Sequence, residues 1–197
     1  MNYIYKSMKG KIIILSAPSG TGKSTVISRL MQMPDLNLGF SVSATSRQPR
    51  AGEKDGREYW FITDEEFCRR IAAGDFVEYE EVYAGTHYGT LKSEVERVTG
   101  DGHNLMMDID VKGGLNVKSL YGSRALAIFL MPPSLEVLEH RLRGRATDDE
   151  HTIRKRLDKA EYEISYAPRF DVRIVNDDID QATAETAAAI RSFLARP

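Results

Sequence analysis

The sequence has little cysteine, no long apolar segment and no excess of positive charge. Its 197 residues include one cysteine, Cys68, which excludes an intrachain disulfide and favours a reducing compartment. We expect Cys68 to be a small buried side chain of a helix rather than a nucleophile. The absence of a signal-like or membrane-spanning run predicts a cytoplasmic protein without membrane contact. The formal net charge of −2 argues against a nucleic-acid partner.

The composition is that of an ordinary globular protein, with 42% hydrophobic and 28% charged residues. The length is sufficient for one domain with a sizeable core. The four histidines are scattered and do not have the spacing of zinc ligands. No nucleophile with a matched base is visible, so the chemistry must come from other residues.

A strand, a glycine-bearing loop, a lysine and a helix follow one another near the start of the chain. The apolar run Ile12–Leu15 predicts a buried strand, and an amphipathic helix is predicted to begin at Lys23. Gly20 and Gly22 let backbone N–H groups converge on an anion, to which the helix N-terminus adds its positive dipole end. This order is typical of a phosphate-binding P-loop, in which Lys23 reaches the β- and γ-phosphates and the Ser24 hydroxyl binds Mg²⁺. We predict nine nucleotide contacts in it: Ala17, Pro18, Ser19, Gly20, Thr21, Gly22, Lys23, Ser24 and Thr25.

One residue departs from the strict P-loop pattern, because Ala17 stands where that pattern has glycine. Alanine suffices if φ at this position is negative, so we expect it to be tolerated. The alternative interpretation is a glycine-rich turn that binds no ligand. It is disfavoured because the lysine and the hydroxyl follow in the required places.

Predicted strands alternate with predicted helices along most of the chain. Strands near residues 12, 105, 125 and 172 predict an α/β fold with a parallel sheet covered on both faces. Residues 40–90 differ and predict a small, mostly antiparallel insert, with a Thr63–Glu66 capping box at the start of its helix. We predict three strands in this insert: Phe40–Thr45, Glu58–Ile62 and Phe76–Tyr83.

Two carboxylates end the apolar strand that begins near residue 104. Asp108 lies where a carboxylate facing the P-loop can hold Mg²⁺, so Ser24 and Asp108 are the predicted metal ligands. Asp108 and Asp110 are not expected to share a role. The alternative is that such an aspartate only caps the following helix.

Two clusters of arginines are further candidates for anion binding. Arg47 and Arg50 lie three residues apart in a polar loop, and guanidinium groups bind phosphate or carboxylate through two hydrogen bonds. Tyr59 and Tyr88 could add hydroxyl donors. A second cluster surrounds a turn between two late helices and would stabilise charge on a transferring phosphoryl group. For each cluster the alternative is a solvated basic surface.

The chain resembles the guanylate kinase family in motifs that span residues 10–195. The most specific match is Phe40–Glu53, whose Pro-Arg-Ala-Gly-Glu ending is rarer than a P-loop. Further matches, in the family's order, are Ser16–Ser24, Asp55–Tyr59, Tyr88–Thr90, Asp108–Asp110 and Val175–Asp178. This chain departs from the family pattern at Ala17, Lys112, Gly114 and Ala146.

The resemblance implies phosphoryl transfer from ATP to GMP with Mg²⁺ as cofactor, and dGMP as a further acceptor. It implies that the GMP phosphate is bound by Arg47, Arg50, Tyr59 and Tyr88, and that guanine is read by Ser43, Glu78, Thr90 and Asp110. It implies lid arginines at Arg141, Arg145 and Arg156 and an adenine-region contact at Asn176. The implied catalytic residues are Lys23, Arg47, Arg141, Arg145 and Arg156.

Glu78 also suits guanine on chemical grounds. Guanine presents its N1–H and its exocyclic amine side by side, and a carboxylate accepts from both. Adenine would turn the lone pair of N1 towards the carboxylate, so a site with Glu78 should reject it.

The resemblance also implies a domain organisation. We expect one domain over residues 1–197, with a core of residues 9–39, 101–140 and 157–197, a GMP-binding insert at 40–100 and a lid at about 141–156. Two alternatives stay open. A non-catalytic guanylate-kinase-like module would bind a phosphorylated partner, but it would be expected to lack Lys23 or the lid arginines. A related P-loop kinase with another acceptor is disfavoured by Glu78 and Ser43. The oligomeric state is also open, with a homodimer as one alternative.

Overall fold

The computed structural model describes residues 9–83, 85–144 and 149–196. Over these residues the chain forms nine strands and seven α-helices, joined by loops and short 3₁₀ turns. The strands are β1 (Ile12–Ser16), β2 (Leu38–Phe40), β3 (Ala44–Thr45), β4 (Trp60–Phe61), β5 (Phe76–Tyr83), β6 (Thr86–Leu91), β7 (Asn104–Asp108), β8 (Ala125–Met131) and β9 (Val172–Val175). The helices are α1 (Lys23–Leu30), α2 (Asp64–Ala73), α3 (Lys92–Gly100), α4 (Val111–Tyr121), α5 (Leu135–Arg143), α6 (Glu150–Ser165) and α7 (Ile179–Leu194).

The strands form two sheets, as the sequence predicted. The larger sheet has the order β2-β7-β1-β8-β9, in which β8 and β9 are parallel. The smaller sheet has the order β4-β3-β6-β5, in which β6 is antiparallel to both β3 and β5. The predicted α/β fold with a second, mostly antiparallel sheet is therefore confirmed.

The chain divides into two compact units. One contains the residues up to Ile12 together with Gly39–Met106, and the other contains Ile13–Leu38 and the residues from Met107 onward. None of the described helices has both the length and the apolarity that a membrane span requires.

The central strands are continuous hydrophobic runs because helices cover both faces of a parallel sheet. All five residues of β1 are buried, and so are the first six of β8. Gly114 of α4 lies where a Cβ would come within 3.0 Å of Ser16 Oγ, so the missing side chain lets α4 pack closely against the end of β1. Gly114 is one of the positions at which this chain departs from the family pattern, and the close packing of α4 on β1 explains why glycine stands there.

The smaller sheet packs against α2 around an aromatic core. Ala44, Phe67, Phe76 and Leu91 form a buried cluster, and the rings of Phe67 and Phe76 stack with centroids 4.4 Å apart. Helix α2 begins where predicted, since the Thr63 side chain accepts from the backbone N–H of Glu66. The Glu66 carboxylate does not complete the capping box, because it binds Arg69 and Arg70 instead.

The structure corrects three expectations in this region. The predicted strand Phe40–Thr45 is two strands, because the Val42 N–H donates to the Glu94 side chain at 2.9 Å instead of joining a ladder. The predicted strand Glu58–Ile62 is only Trp60–Phe61. Cys68 is exposed rather than buried, since its neighbour Phe67 occupies the inward face of α2.

Helices α5 and α6 pack against each other late in the chain. Ser134 and Asp149 cap their N-termini, and Leu138, Leu142 and Ala160 form the buried cluster between them. Arg143 binds Glu139 of its own helix and Glu150 of α6. Residues 145–148, and with them Arg145 and Ala146, lie outside the described residues.

Candidate active site

The loop between β1 and α1 is shaped by two glycines with left-handed backbone angles. Gly20 has φ 93° and Gly22 has φ 96°, conformations that residues with a Cβ rarely adopt. Among the described residues other than glycine, only Asn37 has a positive φ. The φ angle of Ala17 is therefore negative, which is the condition for alanine to replace glycine at this position. No acidic residue occupies the first turn of α1, which leaves its positive dipole end open to an anion.

Lys23, the first residue of α1, forms an ion pair with Asp108 at the end of β7. A hydrogen bond from Ser16 Oγ to the Ile109 carbonyl, at 2.8 Å, holds the segment after β7 against the end of β1. Asp110 then caps α4, because its Oδ1 accepts from the N–H groups of Lys112 at 2.7 Å and Gly113 at 3.2 Å. The two aspartates therefore have different partners, and Asp110 makes the helix-capping contacts of the alternative interpretation.

These elements line a cleft of about 440 Å³. Eight of the nine predicted P-loop contacts border it, and the ninth, Thr21, is fully buried behind it. Asp108, Asp110 and Arg156 also line the cleft. The structure thus brings the P-loop, both carboxylates and one of the predicted lid arginines together.

Helix α6 contributes a row of charged residues to the same cleft. Arg156 Nη1 donates to Ser19 Oγ at 2.7 Å, which joins α6 to the P-loop. Lys159 and Glu163 lie further along the same face, with 3.9 Å between Nζ and Oε1. No motif in the sequence pointed to these two residues. Their spacing of three and seven from Arg156 is the signal that could have found them, because residues at this spacing share a helix face.

Asn176 and Arg141 lie together beside the P-loop. The buried Asn176 side chain donates to the Thr21 carbonyl at 2.6 Å. Arg141 Nη1 donates to the Asn176 carbonyl at 2.9 Å, and Nη2 donates to the Asp177 carbonyl at 3.3 Å. Arg141 is not among the residues that line the cleft, so here its guanidinium supports the segment after β9.

The arginine loop forms a second polar site, within the other unit. Arg47 donates to both carboxylate oxygens of Glu53 at 2.7 Å and, through Nε, to Tyr88 Oη at 3.0 Å. Its guanidinium also lies 5.0 Å from the Tyr59 ring centroid, and the Tyr59 and Tyr88 rings meet edge to face at 5.6 Å. The structure therefore brings Arg47, Tyr59 and Tyr88 together, whereas the Arg50 residue is exposed.

Glu53 also belongs to this site, although the sequence pattern did not predict its hydrogen bonds with Arg47. It also accepts from the Arg50 N–H at 2.7 Å. The hydrogen bonds from Arg47, and then the one from Arg50, lower the pKa of the Glu53 carboxyl to about 2. The same pair raises the pKa of Arg47. Glu53 thus occupies the donors that a phosphate would use.

Glu78 lies on β5, an edge strand of the smaller sheet, and is nevertheless only 7% exposed. It is paired with Thr90 in the β5–β6 register, and Thr90 Oγ1 donates to Glu78 Oε1 at 2.7 Å. Ser43 directly precedes β3, and its carbonyl accepts from the Trp60 N–H at 2.9 Å. Glu78 is thus a buried carboxylate held beside Thr90, and its oxygens are hydrogen-bond acceptors.

Comparisons with known proteins agree with this geometry. The guanylate kinase family model matches residues 9–193. The guanylate kinase of Porphyromonas gingivalis is 57% identical over 186 residues, covering 94% of this chain and 99% of that protein. For the guanylate kinase of Bacteroides thetaiotaomicron the identity is 56% over 189 residues, with 96% and 92% covered. The crystal structure of guanylate kinase from Anaplasma phagocytophilum superposes with a TM-score of 0.74 at 33% identity, covering 98% of this chain and 90% of that one. This chain belongs to the guanylate kinase family.

Proposed function

We propose that this protein transfers the γ-phosphoryl group of ATP to GMP, giving ADP and GDP. The observation that carries the proposal is that the chain has two sites for anions with different chemistry. One is a P-loop cleft containing Lys23, and the other joins Arg47 to two tyrosines in the sheet that holds the buried Glu78. Relatives that are more than half identical over most of the chain are named guanylate kinases, which supports the same activity.

The P-loop cleft is the donor site in this proposal. The backbone of Ala17–Thr25 surrounds the ATP phosphates, and Lys23 exchanges Asp108 for the β- and γ-phosphate oxygens. Asn176 contributes to the adenine region beside the loop. Arg141, Arg145 and Arg156 are the arginines of a lid at about residues 141–156, and Arg156 already reaches the loop at Ser19. Their role is to neutralise charge on the group in transfer.

The arginine loop is the acceptor site in this proposal. Arg47 and Arg50 bind the GMP phosphate with Tyr59 and Tyr88, which requires Arg47 to give up part of its pairing with Glu53. Glu78 accepts from guanine N1–H and the exocyclic amine, with Ser43, Thr90 and Asp110 as further base contacts. Because a GMP phosphate oxygen attacks the γ-phosphorus as ADP leaves, the transfer depends on positioning and electrostatics rather than on a strong base.

The donor cleft fits Mg²⁺ that enters together with ATP. Ser24 and Asp108 both line the cleft, and hydroxyl and carboxylate oxygens are ligands that Mg²⁺ prefers. The described residues contain no cluster of three or more His, Cys, Asp or Glu that could hold a metal by themselves. Such a partial set suits Mg²⁺, which is commonly held by one or two protein ligands and the substrate phosphates. Bound there, the ion supplies positive charge to the phosphate oxygens.

The remaining expectations from the sequence stay proposals. They are the core at residues 9–39, 101–140 and 157–197, the insert at 40–100, the use of dGMP as an acceptor, and a cytoplasmic location. A homodimer also remains one alternative for the oligomeric state.

One assay tests the function directly. Purified protein is given ATP and Mg²⁺ with GMP, dGMP, AMP, CMP or UMP, and ADP release is followed. We expect turnover with GMP and at least a tenfold lower kcat/KM with the non-guanine nucleotides. Protein that bound GMP or a phosphopeptide but released no ADP would instead support the non-catalytic module.

A further inference from the structure

The P-loop cleft contains two lysine–carboxylate pairs, and only one of them has a role so far. Lys23 pairs with Asp108, and Lys159 pairs with Glu163 one helical turn away on α6. All four residues line the cleft. The second pair therefore needs an explanation beyond that of an ordinary surface ion pair.

The burial of Glu163 distinguishes this pair from a surface pair. The Glu163 side chain is 9% exposed, whereas that of Lys159 is 56% exposed. A carboxylate this buried attracts a nearby cation more strongly than an exposed one does, because water and salt screen its charge less. The Lys159 side chain is long and flexible and borders the open cleft. Its ammonium can therefore move towards an anion in the cleft and still remain near the Glu163 carboxylate.

Contacts of α6 residues before and after Lys159 define its position along the cleft. One turn before it, Arg156 donates to Ser19 of the P-loop. Three residues after it, the Tyr162 ring lies 5.4 Å from Lys112 Nζ, two residues beyond Asp110. Because α6 rises about 1.5 Å per residue, Lys159 lies between the P-loop end and the Asp110 end of the cleft, about 4.5 Å along the helix from Arg156.

From this geometry, and resting on the function proposed above, we infer that Lys159 contacts the transferring phosphoryl group and that Glu163 positions it. The cleft then presents three cations to the phosphates from two elements: Lys23 from α1, and Arg156 and Lys159 from α6. Lys159 is a catalytic residue in this assignment. Glu163 is a positioning residue that acts through the lysine.

The test is a comparison of Lys159→Gln, Lys159→Arg, Glu163→Gln and the double variant Lys159→Gln/Glu163→Gln. We expect Lys159→Gln to lower kcat about 10- to 100-fold with little change in KM for ATP or GMP, because the contact forms in the transition state. Lys159→Arg keeps the charge and should recover a large part of that loss. Glu163→Gln should lower kcat by a smaller factor, and the double variant should be no slower than Lys159→Gln alone.

Lys155→Gln is the matched control, because Lys155 is an exposed lysine of the same helix that does not line the cleft. It should keep the kcat of the unmodified protein within twofold. Thermal unfolding of every variant shows whether a lower kcat reflects a loss of folding. If Glu163→Gln fails to fold, the comparison of Lys159→Gln with Lys159→Arg still measures the contribution of the Lys159 charge to kcat.

The outcomes separate the two proposals. If the unmodified protein releases no ADP with GMP, the proposed function fails and this assignment fails with it. If the unmodified protein is active but Lys159→Gln keeps its kcat, or changes only KM, Lys159 does not contact the group in transfer. If the losses of the two single variants multiply in the double variant, Glu163 does not act through Lys159.

Discussion

The P-loop cleft and the arginine-loop site both bind phosphate in our proposal, but they are built from different parts of the chain. The cleft is formed mainly by backbone, with left-handed glycines and a helix N-terminus before Lys23. The arginine-loop site is formed by side chains, in which Arg47 is held by Glu53, Tyr59 and Tyr88. Backbone N–H groups recognise phosphate in any nucleotide, so the cleft alone has little means to choose a base.

The second site has a base-reading group that the cleft lacks. Glu78 is buried and accepts from Thr90, so adenine would turn the lone pair of its N1 towards a desolvated carboxylate. In our proposal, discrimination among nucleotides therefore belongs to the acceptor site, and the donor site supplies charge and geometry. Four substitutions test this division.

Lys23→Met should abolish turnover while leaving the fold intact. The variant removes the cation at the start of α1 that we assign to the transferring phosphoryl group, and the loss of such a group lowers kcat by roughly 1,000-fold. ADP release measures the effect, and the midpoint of thermal unfolding checks the fold. Lys155→Met, on the exposed surface of α6, is the control for a lost lysine. A kcat within tenfold of the original would remove the donor role from the P-loop lysine.

Glu78→Gln should weaken the use of GMP and leave ATP binding unchanged. The amide presents a donor where guanine also presents donors, so at least one hydrogen bond to a charged group is lost. We expect kcat/KM for GMP to fall about 10- to 100-fold. ATP affinity, measured by calorimetric titration, is the internal control because the P-loop cleft does not include Glu78. Equal losses for both nucleotides would contradict the separation of the two sites.

Gly22→Ala tests whether the backbone shape of the cleft matters in itself. A Cβ at this position would lie 2.5 Å from Asn176 Nδ2, and φ of 96° is strained for alanine. We expect about tenfold weaker ATP binding and a loss of about 1–3 kcal/mol in the free energy of unfolding. Gly102→Ala is the matched control, since its φ is 89° and nothing lies within 4 Å of the added Cβ. If both variants bind ATP equally well, the contact with Asn176 has no part in the donor site.

The sequence predicted the cleft better than it predicted the contacts around it. The P-loop is visible because its strand, glycines, lysine and hydroxyl follow one another locally. Lys159 and Glu163 are separated from that loop by more than 130 residues, and only the packing of α6 shows which of its faces meets the cleft. Charged residues occur all around the helix, so the pattern by itself does not select that face, and the spacing from Arg156 indicates it only once Arg156 is placed at the cleft.

The smaller sheet shows a second limit of sequence patterns. The alternation of Phe40–Thr45 is real, yet the strand breaks because the distant Glu94 side chain accepts the Val42 N–H. Likewise, Glu53 was visible as part of a motif, but its two hydrogen bonds to Arg47 were not. A surface carboxylate has the same appearance in a sequence whether it faces water or an arginine six residues away.

Of the four substitutions, Glu53→Gln should have the smallest effect. Its effect should appear in the pH dependence of thermal stability. The pKa of Glu53 is lowered from an ordinary value of 4.5 to about 2 in the folded protein, mainly by Arg47. A lowered pKa means that the folded state binds this proton less readily than the unfolded chain does, so the stabilisation is complete above about pH 5 and disappears as the pH falls towards 2. The thermal midpoint of the original protein should therefore exceed that of Glu53→Gln by at most a few degrees near pH 7, and the difference should shrink towards zero as the pH falls from about 5 to 2.

Glu96→Gln, on the exposed face of α3, corrects for the loss of one carboxylate. A difference that stayed constant from pH 7 to pH 3 would mean that Glu53 stabilises the loop by packing rather than by its charge on Arg47, and Arg47 would then be less tightly held than the Arg47–Glu53 contacts suggest.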